Sequence, residues 1–244
     1  MPDRESDTDS DAAAGAYSDS ALQPTAFLFD LDGTLVDSVY QHVLAWREAL
    51  DAEGIELSVW RIHRRIGMSG GLFTNMLLRE TGIDLDPALI ERLQKRHAES
   101  YLRHRKDVRP LPGAKALLDA LTANGIPWAI ATSGRMETAG PVMEKLGIDF
   151  GKTVVITRDK VRFAKPDPDL FLAAAKALNV PIEMASVVGD SVWDMLAARR
   201  ARALGIGVLS GGYGTEELER AGAYRVYEDP ADLLNHLDEV GGRR

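Results

Sequence analysis

Apolar and polar residues alternate in blocks along this chain, and the first clear block is a short apolar run that ends in acids. Residues 26–29 are all apolar and predict a buried strand, which Gly33 brings to an end. Asp30 and Asp32 therefore fall where this strand gives way to a loop. Ligands of open α/β sheets bind at such strand ends, so these two carboxylates predict a functional site.

The rest of the pattern predicts a helical insertion followed by alternating strands and helices. Apolar residues recur at helical spacing, without a convincing strand between them, over 41–53, 73–80 and 88–105. Strand patterns follow at 126–132, 153–157, 185–189, 204–209 and 224–227. Helical patterns separate them at 113–123, 137–146, 168–178 and 194–201. Such alternation predicts an α/β fold with a parallel sheet.

These patterns divide the chain into three parts. Residues 1–24 are rich in Asp, Ser and Ala, and we expect a disordered tail because burial cannot offset their ordering entropy. Residues 25–38 and 108–244 are predicted to form the sheet domain. Residues 39–107 are predicted to form a helical domain inserted after the first strand.

Composition narrows the possible functions. The chain has 244 residues, of which 45% are hydrophobic and 27% charged, as expected for a globular protein with a sizeable core. A net charge of -8 and a pI near 5.2 argue against nucleic acid and membrane partners. The absence of cysteine excludes disulfides, thiolate zinc sites and thiol nucleophiles. Without a signal pattern or an apolar run of about 18 residues, we expect a cytoplasmic protein.

Chemically useful side chains follow further predicted strands. The Thr-Ser-Gly segment 132–134 follows one strand, and Asp190 follows another. Lys165 precedes Pro166, just before the predicted helix at 168–178. Each of these also occurs as ordinary turn or loop chemistry. Because parallel strands share one carboxyl edge, we nevertheless expect them to meet Asp30 there.

Together these segments resemble the four motifs of haloacid dehalogenase superfamily hydrolases of the phosphatase type. The motifs stand in the family's order at 30–34 (DLDGT), 131–134 (ATSG), 165–166 (KP) and 189–194 (GDSVWD), and the resemblance covers about residues 25–237. It implies a Rossmann-like parallel sheet core with helices on both faces, and an inserted α-helical cap domain.

The resemblance also implies roles for the residues of the first two motifs. Asp30 matches the family's nucleophile, whose carboxylate attacks phosphorus to give an aspartyl-phosphate. Asp32 matches the acid that protonates the leaving alkoxide and later takes a proton from water. Thr132, Ser133 and Gly134 match the phosphate-binding segment.

The other two motifs are implied to supply charge and a metal. Lys165 matches the lysine that binds phosphate. Mg²⁺ is implied to lie between the carboxylates of Asp30 and Asp190 and the backbone carbonyl of Asp32. Asp194 is implied to orient Asp190 or Lys165, although an acid at a helix N-terminus is an alternative. Charge balance supports the cation independently, because the side chains of Asp30, Asp32 and Asp190 carry about three negative charges if ionised and Lys165 returns one.

The helical insertion offers candidate specificity residues. His42 and Trp46 lie one helical turn apart, and they either face substrate or pack in the interior. The segment 61–71 combines arginines with glycines, and we expect Ser69 and Gly70 to influence substrate choice.

Two other segments are assigned no role in the chemistry. Asp37 and Ser38 are interpreted as caps of the first helix of the insertion. The glycine-rich segment 211–214 is interpreted as a flexible loop outside the site.

The resemblance implies a Mg²⁺-dependent phosphatase that hydrolyses a small phosphate monoester of the sugar phosphate or phosphoglycolate type. We expect a small phosphorylated metabolite as its partner and a monomer or weak homodimer. The alternative is a β-phosphoglucomutase-like phosphomutase, which His42 and Trp46 support. Against it, Gly189, Thr34 and Gly70 stand where that branch has a second metal-binding acid, an apolar residue and a cap arginine. A haloalkanoic acid dehalogenase, which lacks the second acid of the first motif, and a catalytically silent binding protein have less support.

Overall fold

A central parallel sheet positions the motifs in the computed structural model, which describes residues 26–83 and 86–242. The tail predicted at 1–24 lies outside these residues. The strands are β1 (Ala26–Phe29), β2 (Val36–Asp37), β3 (Arg109–Pro110), β4 (Trp128–Ala131), β5 (Val154–Ile156), β6 (Ala185–Gly189), β7 (Leu204–Val208) and β8 (Ala223–Tyr227). Six of them form one sheet in the order β5-β4-β1-β6-β7-β8, with every neighbouring pair parallel.

Helices cover both faces of this sheet and form the insertion. They are α1 (Val39–Asp51), α2 (Val59–His63), α3 (Gly70–Thr81), α4 (Pro87–His104), α5 (Ala114–Ala123), α6 (Met136–Lys145), α7 (Asp169–Ala177), α8 (Val192–Ala201), α9 (Thr215–Ala221) and α10 (Pro230–Asn235). The predicted α/β fold class is confirmed. The short helices α2, α9 and α10 and the strands β2 and β3 were not predicted.

Strand β1 is buried on both faces, which explains its continuous apolar sequence. Phe27 and Phe29 pack in the hydrophobic cluster that contains side chains of α5, α6 and α10. Leu28 points to the opposite face, into the cluster formed with α7 and α8. All three side chains are fully buried, so the loop that follows β1 starts from a rigid position.

The inserted helices have a hydrophobic core of their own. It includes Trp46 and Leu50 of α1, Phe73 of α3 and Leu93 of α4. The chain enters and leaves the insertion through β2 and β3, which pair with each other as antiparallel strands outside the main sheet. We propose residues 39–107 as the cap domain, and residues 25–38 with 108–244 as the core domain. The reason is that the antiparallel pair of β2 and β3 separates the hydrophobic core of the inserted helices from the hydrophobic clusters of the sheet.

The sheet topology brings distant segments to one edge. The carboxyl ends of β1, β4, β6 and β7 lie side by side because these strands are parallel neighbours. Asp30 and Thr132 directly follow β1 and β4, and Asp190 directly follows β6. The inserted helices begin shortly after β1, at this same edge of the sheet. The motifs and the cap therefore face each other.

The packing of α5 on α10 is tested by replacing Gly113 with alanine and comparing the loss of stability with that caused by the same change at Gly125. Gly113 has a φ of +73°, and a Cβ there would lie 2.4 Å from the Cα of Ala231 in α10. Gly125 has a φ of +65° and open space around it. We expect Gly125→Ala to destabilise the protein by about 1–2 kcal/mol through backbone strain. We expect Gly113→Ala to lose about 1–3 kcal/mol more stability than Gly125→Ala, because its methyl group overpacks against α10.

Urea denaturation monitored by circular dichroism measures both changes. Equal losses in the two variants would contradict the described contact between Gly113 and α10.

Candidate active site

Asp30 and Lys165 form a buried ion pair at the centre of the sheet edge. The backbone N–H of Asp30 donates to the carbonyl of Val188 at 2.9 Å, which holds it against β6. Its carboxylate contacts Nζ of Lys165, which is fully buried. Burial raises the pKa of Asp30 to about 7, although Lys165 acts in the opposite direction. The protonation state of Asp30 therefore depends on any further positive charge that binds beside it.

A cluster of three carboxylates surrounds this ion pair. Single oxygens of Asp30, Asp190 and Asp194 lie within 4.8 Å of one another, and all three residues are buried. The hydroxyl of Thr34 donates to Asp190 at 3.1 Å. Burial, followed by repulsion from Asp194 and Asp30, raises the pKa of Asp190 well above its usual range. One lysine does not balance three buried acids, so their oxygens fit a divalent cation.

Asp194 joins Lys165 to the start of α8. Its carboxylate lies 2.8 Å from Nζ of Lys165. It also accepts hydrogen bonds from the backbone N–H and the hydroxyl of Ser191, at 3.1 and 2.5 Å. Both interpretations of Asp194 therefore have a physical basis, since it contacts Lys165 and also stands in the first turn of the helix. Its carboxylate additionally belongs to the cluster that could hold a metal, which the sequence did not indicate.

The segment predicted to bind phosphate forms a tight turn after β4. The N–H of Gly134 donates to the side-chain oxygen of Thr132 at 2.9 Å. The hydroxyl of Ser133 donates to the carbonyl of Gly67 in the cap segment at 3.0 Å. The N–H of Gly134, a residue that the resemblance implies binds phosphate, is therefore occupied within the turn. The Ser133 side chain connects the core to the cap.

Asp32 lies beside Asp30 and is held by two residues that follow it. The hydroxyl of Ser38 donates to its carboxylate at 2.6 Å, and Nε2 of His42 lies 3.3 Å from the same oxygen. Burial opposes ionisation, but His42 and Ser38 outweigh it and hold the pKa of Asp32 below its usual value. The capping interpretation is corrected: Ser38 makes no side-chain cap bond to α1, because its hydroxyl reaches Asp32, and Asp37 belongs to β2.

The cap contributes an aromatic wall opposite Asp32. Nδ1 of His42 lies 3.2 Å from Nε2 of His97, and the His42 ring stacks on Tyr101 with centroids 3.9 Å apart. The ring of Trp46 stacks on His97 at 4.3 Å. His97 and Tyr101 were missed, although their spacing of one helical turn in α4 was a usable signal.

A cavity of about 460 Å³ lies between this wall and the core. Its lining includes Asp30, Asp32, His42 and Trp46 together with the segment 132–134 and Gly70. Ser69 is not among the lining residues. Its hydroxyl instead accepts a hydrogen bond from the N–H of Leu72 at 3.3 Å, at the start of α3.

The loop after β7 contacts Asp190 directly, which corrects its exclusion from the site. A Cβ at Gly211 would lie 1.7 Å from Oδ2 of Asp190, so no side chain fits there. The hydroxyl of Ser210 donates to the carbonyl of Gly33 at 2.6 Å, and Nε2 of His63 in the cap lies 2.8 Å from the Gly211 carbonyl. Gly211 therefore allows the loop to pack closely against Asp190, in addition to any role in the geometry of the turn.

Comparison with known proteins agrees with this arrangement. The family profile of haloacid dehalogenase-like hydrolases matches residues 24–202. The chain belongs to the haloacid dehalogenase-like hydrolase family. A phosphoglycolate phosphatase from Rhodospirillum rubrum is 33% identical over 231 residues, covering 91% of this hydrolase and 95% of the relative.

Two further proteins show the extent of the similarity. An N-acetylmuramic acid 6-phosphate phosphatase from Pseudomonas aeruginosa is 29% identical over 217 residues, which cover 88% of this hydrolase and 95% of the relative. The crystal structure of a hydrolase from Pseudomonas syringae superposes with a TM-score of 0.87 at 58% identity. That match covers 89% of this hydrolase and 99% of the other chain.

Among the residues that the structure describes, no helix of this hydrolase has both the length and the apolar character needed to cross a bilayer.

The contact between Gly211 and Asp190 is tested with Gly211→Ala. The added methyl group is expected to displace the Asp190 carboxylate and to lower the affinity for a divalent cation, tested as Mg²⁺, about 10–100-fold, as for other losses of metal-site support. Gly214→Ala is the control, because a Cβ there meets nothing closer than 3.6 Å. Isothermal titration calorimetry measures both affinities. Unchanged affinity in Gly211→Ala would contradict the expectation that close packing of Gly211 on Asp190 supports a cation site.

Proposed function

We propose that this hydrolase is a Mg²⁺-dependent phosphatase that cleaves small phosphate monoesters through an aspartyl-phosphate on Asp30. The observation that carries the proposal is the placement of the Asp30 carboxylate. It is paired with the buried Lys165, and it faces the same cavity as Thr132 and the cap wall. A nucleophile, a fixed cation and a candidate acid thus converge on one enclosed space.

The relatives support small substrates with a single reacting phosphate. Those compared above are named for phosphoglycolate and for N-acetylmuramic acid 6-phosphate, a two-carbon acid and an amino sugar. The cavity volume of about 460 Å³ lies within the range of small-molecule sites. We therefore propose a small phosphorylated metabolite as substrate, and the cap covers it during the reaction.

In the first step, a carboxylate oxygen of Asp30 attacks phosphorus, and the bond from phosphorus to the ester oxygen breaks. Lys165 contacts Oδ1 of Asp30, so we assign the attack to Oδ2. Asp32 gives its proton to the departing oxygen. The lowered pKa keeps Asp32 ionised in the free enzyme, whereas a phosphate dianion bound beside it favours the protonated form. Substrate binding is thereby accompanied by uptake of one proton from solvent, and the protonated Asp32 can then act as the acid.

In the second step, Asp32 acts as a base. It takes a proton from water as the water oxygen attacks phosphorus, and the bond between phosphorus and Asp30 breaks. Inorganic phosphate leaves, Asp30 is restored as a carboxylate, and Asp32 returns its proton to solvent as the free enzyme is regenerated. His42 and Ser38 keep Asp32 in one orientation throughout, through the hydrogen bonds described above.

The metal is proposed from the acids that surround Asp30. Asp30, Asp190 and the backbone carbonyl of Asp32 would hold it, and oxygen ligands with few carboxylates suit Mg²⁺. When bound, Mg²⁺ supplies positive charge that offsets repulsion between the acids and the phosphate. Asp194 stabilises the arrangement by holding Lys165.

A phosphomutase is favoured by one observation, the presence of His42 and Trp46 in the cavity wall. It is opposed by Gly189, where a Cβ would lie 2.3 Å from the Cβ of Asp194. A second metal-binding acid therefore has no room at that position. We regard hydrolysis as the better-supported function.

Phosphate release from a panel of esters tests the proposal. With Mg²⁺, the panel includes phosphoglycolate, N-acetylmuramic acid 6-phosphate and sugar phosphates. Asp30→Asn removes the nucleophile, and we expect kcat to fall at least about 1,000-fold, as with other catalytic nucleophiles. A chelator is expected to abolish release. Asp37→Asn, an exposed aspartate of β2, is the control and retains activity. Release that survives Asp30→Asn would refute the covalent mechanism.

The pH dependence of metal binding follows from the raised pKa values. Below about pH 7, protons compete for Asp30, whose pKa is about 7, and for Asp190. We expect Mg²⁺ affinity to increase from about pH 6 to about pH 8, with protons released on binding. Calorimetry in buffers of different ionisation enthalpy measures both quantities. An affinity that does not change over this range would contradict a site built on these two carboxylates.

A further inference from the structure

The positive charges of the cavity wall differ in whether they already have a partner. Most of the arginines and lysines that line the cavity are paired with carboxylates outside it. These pairs are Arg65 with Glu80, Lys95 with Glu99 at 4.0 Å, and Arg135 with Asp159 at 3.7 Å. A paired cation has less capacity to attract an anionic ligand.

Arg158 is the exception within the described ranges 26–83 and 86–242. It lines the cavity and is half-buried, and its guanidinium lies within 4.0 Å of no carboxylate in these ranges. Its Nη1 donates to the carbonyl of Val161 at 2.7 Å, which orients the group and leaves it charged. A half-buried cation attracts an anion more strongly than an exposed one, because solvent screens it less.

The backbone places Arg158 next to the segment that is proposed to bind phosphate. The N–H of Arg158 donates to the carbonyl of Gly134 at 2.9 Å. Arg158 follows β5, the neighbour of β4, which ends just before Thr132. A phosphate bound beside Thr132 therefore directs the remainder of its ester into a cavity that Arg158 also lines.

We propose that Arg158 binds a carboxylate of the substrate, separate from the phosphate that is hydrolysed. This inference rests on the proposed phosphatase function and specifies its substrate class. A guanidinium matches the planar carboxylate with paired N–H donors. The exposed carboxylates of Glu91 and Glu137 also line the cavity, and they oppose a second dianionic phosphate more than a single negative charge. The favoured substrate is thus a phosphate ester of an acid.

Matched substrate pairs isolate this contribution. N-acetylmuramic acid 6-phosphate differs from N-acetylglucosamine 6-phosphate by a lactyl ether group, which carries the carboxylate. Phosphoglycolate and 2-hydroxyethyl phosphate differ by replacement of the carboxylate with an alcohol. We expect the native enzyme to have a higher kcat/KM for the acid in at least one pair. Arg158→Gln is expected to lower that value about 10–100-fold, the usual worth of a charge-assisted hydrogen bond, and to leave the neutral member nearly unchanged.

Two further variants serve as controls. Arg158→Lys keeps the charge and is expected to retain part of the preference. Arg162→Gln removes an exposed arginine of the same loop that does not line the cavity, and it is expected to change neither member of a pair. A general effect of net charge would instead appear in Arg162→Gln as well.

Three results would overturn the proposal. Equal losses for both members of each pair in Arg158→Gln would assign Arg158 a structural role through Val161. No preference for the acid in the native enzyme would remove the basis of the inference. A preference for a sugar bisphosphate over its monophosphate that Arg158→Gln abolishes, without any preference for the acid, would assign the position to a second phosphate.

Direct binding separates failure of this proposal from failure of the phosphatase function. Calorimetry with Mg²⁺ compares Asp30→Asn with Asp30→Asn/Arg158→Gln, neither of which is expected to turn over substrate. In the pair for which the native enzyme prefers the acid, we expect the acid to bind the double variant about 10–100-fold more weakly and its neutral partner to bind both variants equally. If neither ester binds and the native enzyme releases no phosphate, the phosphatase function fails and this proposal fails with it. Equal weakening for both esters overturns the Arg158 proposal alone.

Discussion

The buried charge of Lys165 is the interaction on which the candidate active site depends. Burial alone would lower the pKa of this lysine, but Asp194 and Asp30 outweigh burial and raise it above its usual value. The ammonium group therefore stays charged inside the protein, where the two carboxylates offset the cost of burying it. Asp30 follows β1, Asp194 lies in α8 and Lys165 precedes α7. The charge of Lys165 therefore links these three elements to one another.

The same site is connected to the cap by hydrogen bonds from several core motifs. The cap carbonyl of Gly67 accepts from Ser133, and the N–H of Ser69 donates to the carbonyl of Lys165 at 3.3 Å. The hydroxyl of Tyr213, in the loop that contacts Asp190, donates to the cap carbonyl of Arg64 at 2.9 Å. The cap thus contacts the carboxyl edge of the sheet at several points, and the cavity lies between the cap and this edge.

Much of the fold and the positions of the four motifs followed from sequence because parallel strands share one carboxyl edge. The contacts that were missed join residues far apart in the chain. His42 and His97 are separated by 55 positions, and no local pattern states that their rings meet. Ser38 satisfies the sequence rule for a helix cap, yet its hydroxyl binds Asp32, and only the three-dimensional placement of Asp32 decides between the two. The helices α9 and α10, of 7 and 6 residues, are too short for clear periodicity.

The central claim is that the Asp30 carboxylate, held by Lys165, forms a covalent bond to phosphorus. Mixing the Mg²⁺-loaded enzyme with phosphoglycolate, quenching in acid within the first turnover and digesting the protein tests it directly. Tandem mass spectrometry then locates any added phosphoryl group. The account predicts one phosphoryl group on Asp30 that appears during turnover and disappears when substrate is exhausted. A phosphoryl group on another residue, or release of phosphate with no labelled peptide under conditions that trap a known aspartyl-phosphate enzyme, would contradict it.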